Sequence, residues 1–76
     1  MLTIELIDFE RKYKAAIKKL WPILLRLHTL RTEKEFNDQQ IQETINKMEL
    51  PFKYHMFITG HFTKLMDIVE SRKETK

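Results

Sequence analysis

The sequence predicts an all-α domain built from three main helices. Three observations carry that expectation. One glycine and two prolines are the only strong breakers in 76 residues, and helix formers dominate between them. Apolar residues recur at spacings of three and four, the period of one helix face. The polar stretch after Arg31 and the proline at 51 divide the chain into segments of helix length. We expect one domain over residues 1–76, with a frayed tail at 74–76. A chain this short buries about 60–65% of its unfolded surface, so association with a second copy, a helical homodimer, would add useful burial.

The first helix is expected over residues 3–30. Thr3 can serve as its N-cap, since its hydroxyl accepts from an orphan backbone N–H. Leu6, Phe9, Tyr13, Ala16, Leu20, Ile23, Leu27 and Leu30 form a seam at heptad spacing, and Leu2 extends it backwards. Pro22 interrupts this pattern at a cost of about 3 kcal/mol, because it removes a hydrogen bond and crowds the carbonyl of Lys18. A straight helix over these residues would span about 42 Å, against about 30 Å for a compact chain of this length. We therefore expect a kink near Trp21–Pro22. The alternative is a continuous helix covered by a second chain.

The second helix is expected over about 36–48. Thr32 with Glu35 fits a capping box, and Asp38 is a rival N-cap. Ile41, Ile45 and Met48 supply its apolar stripe, with Phe36 ahead of it. Pro51 disfavours helical geometry at Leu50 and so closes the segment. The third helix is expected over about 52–72, with Tyr54, Phe57, Ile58, His61, Phe62, Leu65, Ile68 and Val69 at helical spacing. Phe52, Tyr54, Met56 and Ile58 also alternate, so a short strand over 52–58 competes. Gly60 inside this segment points either to close approach of another helix over Thr59, Gly60 and Thr63 or to a turn of the chain.

Charge is distributed unevenly. The formal net charge is +3, and the excess lies in residues 11–31, where Arg11, Lys12, Lys14, Lys18, Lys19, Arg26 and Arg31 face no acid. Acid before base suits a helix dipole, which accounts for part of the asymmetry. The candidate phosphate or acidic-partner site is Arg11, Lys12, Lys18, Lys19 and Arg26. Around Pro22 the helix is apolar on nearly all sides, and Trp21 and Leu25 fall outside the seam. The candidate partner-binding set is accordingly Trp21, Leu25, Lys18 and Arg26, an aromatic anchor framed by bases. A helix–turn–helix reader fits poorly, because Lys53, His55 and Lys64 are the only basic or imidazole groups on the exposed face of the third helix before Arg72.

Catalysis is not expected, and neither is a cofactor. There is no cysteine, Ser71 is the sole serine, and one glycine cannot build a phosphate loop. His55 and His61 are not at metal-ligand spacing, so no metal site is expected, and His61 reads as a core or boundary residue. The longest apolar run, Leu20–Leu25, is far short of the roughly 20 residues that cross a bilayer, and the first ten residues carry acids where a secretory signal carries bases. The expectation is a cytoplasmic, non-enzymatic interaction or regulatory module, an inhibitor or adaptor binding a protein or itself. The alternative is a small nucleic-acid-binding regulator.

Overall fold

The computed structural model of the chain describes residues 3–74. Thr3 opens the first helix as its sequence position suggests, its Oγ1 accepting from the Leu6 amide at 3.2 Å. Five helices follow: α1 (Ile4–Lys12), α2 (Lys14–Thr32), α3 (Asp38–Lys47), α4 (Phe52–Gly60) and α5 (Phe62–Glu74). No strand occurs among the described residues, so residues 52–58 are helix and the strand alternative falls. Leu2 and residues 75–76 lie outside the described residues.

The three predicted helices become five because two of them bend at a single residue. The first bends at Tyr13 and not at Pro22, which α2 passes without interruption. The second bend is at His61, dividing the third predicted helix into α4 and α5. The two bends share a backbone geometry: Tyr13 has φ −112° and ψ 25°, and His61 has φ −125° and ψ 26°. At each, hydrogen bonds of helical spacing enter and leave. The Tyr13 amide donates to Phe9 O at 3.0 Å and its carbonyl accepts from Ile17 at 2.9 Å. The His61 amide donates to Phe57 O at 3.1 Å and its carbonyl accepts from Leu65 at 3.0 Å.

A ring cluster joins the bends. Phe9 and Phe57 stack with centroids 6.1 Å apart, and Tyr13 and His61 meet at 5.7 Å. Tyr13 also meets Phe57 at 5.1 Å, and Phe9 meets His61 at 5.0 Å. Aromatic contacts of this kind contribute about 0.5–1.5 kcal/mol per pair beyond their burial. They offset the loss of regular geometry at both residues. The molecule measures 31 × 27 × 17 Å, shorter than a straight α1–α2 run, so the expected bend is present at a different residue.

The buried stripe also changes register past Tyr13. Leu20 and Leu27 are buried as the heptad reading places them, but Ile17 and Leu24 are buried where it places Ala16 and Ile23. Ala16 offers little apolar area, and a small turn of α2 buries Ile17 in its place. The central core joins Leu24 and Leu27 of α2, Ile45 of α3, Ile58 of α4, and Leu65, Ile68 and Val69 of α5. Helix α5 packs chiefly on α2.

The cap of α3 is Asn37, in place of Thr32 or Asp38. Asn37 Oδ1 accepts from the Gln40 amide at 2.8 Å, and Gln40 Oε1 accepts from the Asn37 amide at 2.9 Å. Thr32 is still inside α2, its hydroxyl donating to His28 O at 2.8 Å. Glu35, its expected capping partner, sits at φ 54° in the connecting loop. Pro51 closes the α3–α4 turn as expected, and its carbonyl accepts from Tyr54 and His55 at 2.9 and 3.0 Å. Gly60 is exposed, and a Cβ built there meets nothing within 4 Å. The close-approach reading is therefore replaced by the turn at the next residue.

Candidate interaction surface

The basic segment does not form one stripe. Different elements pack beside α2 along its length, and they distribute the predicted residues among three grooves. The first, about 540 Å³, is lined by Glu10 of α1, by Lys14, Ile17, Lys18, Trp21 and Pro22 of α2, and by Arg72 of α5. Its floor is apolar and its rim carries Lys14, Lys18 and Arg72. Arg72 places its guanidinium 5.5 Å from the Trp21 ring centroid and pairs with the Glu10 carboxylate. The Glu10 side chain is 15% exposed and that of Arg72 is 55% exposed, so the acid is held in and the cation reaches out.

The second groove lies between α2 and α4 and measures about 370 Å³. Ala15, Ala16 and Phe57 make its floor, with Lys19, Lys53 and Tyr54 above. Lys19 and Lys53 stand 5.1 and 5.0 Å from the Tyr54 centroid. The Tyr54 hydroxyl titrates below its ordinary value of 10.0. The main cause is hydrogen bonding from Lys19; burial opposes the shift, and the charges of Lys19 and Lys53 add to it. The third groove, about 510 Å³, sets Arg26 and Lys47 around Leu30, Phe36, Thr44 and Met48.

Of the partner-binding set, Trp21 and Lys18 come together in the first groove. Leu25, a turn beyond Trp21, is half-buried against the core, and Arg26 lines the third groove. Of the phosphate set, Lys18 and Lys19 fall in different grooves. Arg11 and Lys12 are exposed on α1, Lys12 lying 5.4 Å from the Tyr13 ring. Neither set contains Glu10, Lys14, Lys53, Tyr54 or Arg72, which line the first two grooves. Arg72 and Glu10 are 62 positions apart, and no local pattern couples residues at that separation.

The histidines are dispersed. His61 belongs to the ring cluster, and His55 is half-buried on α4, its carbonyl accepting from the Thr59 hydroxyl at 2.9 Å. His28 is buried on α2, and its Nδ1 has no hydrogen-bond partner among the described residues. Its pKa is lowered from 6.5, first by burial, then by the charge of Lys73, with Arg31 adding and Glu70 and Glu33 opposing. Among the described residues no group of three or more His, Cys, Asp or Glu could hold a metal ion. Among the same residues no helix is long and apolar enough to cross a membrane. No protein-family model matches the chain, and no curated protein or solved structure matches it either.

Proposed function

We propose that this chain is a non-enzymatic interaction module that docks an acidic protein segment in the Trp21 groove. One observation carries the reading: an apolar floor containing the chain's only tryptophan is rimmed by Lys14, Lys18 and Arg72. Among the described residues Glu10 is the one acid lining it, and it is already paired. Bases on a rim accelerate encounter with an acidic partner, while a partly covered aromatic supplies the affinity. A regulatory role, as inhibitor or adaptor, follows from binding without chemistry.

The nucleic-acid reading relies on Arg11, Lys12, Lys18, Lys19 and Arg26 gripping phosphates. Their dispersal over α1 and three grooves weighs against a single phosphate track. Self-association remains the alternative use of exposed Ile4, Ile7, Phe52 and Met56.

Trp21 emission tests these readings together. The probes are a synthetic amphipathic peptide with glutamates flanking a leucine face, and random-sequence duplex DNA, each at low and then moderate salt. We expect a saturable change with the peptide and little with DNA. A response to DNA alone, lost as salt rises, would transfer the assignment to nucleic acid.

A further inference from the structure

Resting on the reading of the Trp21 groove as a docking site, we infer that Glu10 is an internal competitor for it. The partner's carboxylate takes the place of Glu10 on Arg72, and an apolar side chain beside that carboxylate settles on Trp21 and Pro22. Three facts lead here. Arg72 joins two roles at one place, since its guanidinium meets Glu10 and lies over the Trp21 ring. Glu10 comes from α1, Trp21 from α2 and Arg72 from α5, so the contact spans the groove between elements. The guanidinium of the pair is also largely exposed, and a cation that solvent reaches can exchange one carboxylate for another at little cost.

The charges on the rim specify the partner's chemistry. Lys14 and Lys18 are exposed on successive turns of α2 and form no ion pair among the described residues, so the groove holds cationic charge that Glu10 leaves unneutralised. An incoming carboxylate meets Arg72 as Glu10 does, and further acids meet Lys14 and Lys18. The ligand class is therefore a protein segment with an acidic cluster next to a leucine, isoleucine or phenylalanine. A duplex could meet the cations through its phosphates but keeps its bases stacked inside, with nothing for the apolar floor.

The test compares Glu10→Gln and Arg72→Gln, with calorimetric titration of the same glutamate–leucine peptide and a thermal melt of each variant. Glu10→Gln frees Arg72 and should tighten binding about two- to fivefold, the range expected of a partly exposed ion pair. Arg72→Gln removes the group that receives the partner's carboxylate and should weaken binding by a similar factor. Both variants lose the pair and so should melt lower alike, but affinities that move in the same direction or not at all would overturn the inference while leaving the groove as a docking site. Failure of the unaltered protein to bind the peptide would overturn the docking site and the inference together. Should either variant unfold, Glu10→Asp and Arg72→Lys, which keep the charges and change the reach, must still move affinity in opposite directions for the inference to stand.

Discussion

The Trp21 and Tyr54 grooves, both beside α2, use the same ingredients and arrive at different states. Each has an apolar floor, an aromatic ring and lysines. In the Tyr54 groove, both Lys19 and Lys53 sit against the one ring, and no acid lines the groove among the described residues. In the Trp21 groove, one cation covers the ring, an acid holds that cation, and Lys14 and Lys18 remain on the rim. The first arrangement occupies its cations with its own aromatic. The second keeps cations for a ligand beside a ring that a ligand can reach. Basic residues alone do not define a docking site; what each one already touches decides whether it is available.

The strongest way to break this comparison is to remove each ring. Trp21→Ala should cost the glutamate–leucine peptide about 2 kcal/mol or more, the loss of an interface anchor. Tyr54→Ala should cost less than about 0.5 kcal/mol. Calorimetry with both variants checks this, and equal losses would merge the two grooves. Charge reversal is expected to act more weakly. Lys14→Glu with Lys18→Glu should lower affinity about tenfold, chiefly through slower association, whereas Lys19→Glu with Lys53→Glu should change it little. Stopped-flow association rates over a salt series would separate the pairs.

Folding can be separated from recognition through His28, which is buried on the helix both grooves share. Its folded-state pKa lies below 6.5, so the unfolded chain takes up the proton first. The contribution is fully present above the unfolded value and is lost as pH falls through the folded value. Thermal melts should therefore show stability declining below about pH 6.5, and His28→Met should flatten that decline. Peptide affinity of the fraction that stays folded should not follow His28. The smallest effect concerns α4, which carries Tyr54. Gly60→Ala has open space for its methyl group and no positive φ to oppose it, so it should stabilise the fold by about 0.5–1 kcal/mol. Chemical denaturation would register the gain while peptide affinity stays unchanged.

Much of this fold was legible in the sequence, and the reasons for the misses are local. Helical periodicity, the Thr3 cap and the Pro51 boundary rest on near neighbours, and they appear where the sequence puts them. The first bend falls at Tyr13 and not at Pro22, beside a ring contact with His61 that joins residues 48 positions apart, while the second falls one residue past Gly60. By sequence alone Pro22 is the obvious breaker. It lies on the exposed side of α2, where one missing amide hydrogen bond is tolerated. The site was half legible for the same reason. Trp21 and Lys18 share a helix face, so their meeting could be read from spacing. Arg72 and Glu10 reach the groove through packing of α5 and α1, which spacing does not encode.

The most direct test is to locate the contact on the folded protein, by titrating the glutamate–leucine peptide into isotopically labelled protein and following amide and indole resonances. The account expects the Trp21 indole N–H and the amides of Lys14, Lys18 and Arg72 to shift together and saturate at one affinity. Shifts centred on Lys19, Lys53 and Tyr54, or scattered shifts that never saturate, would contradict it.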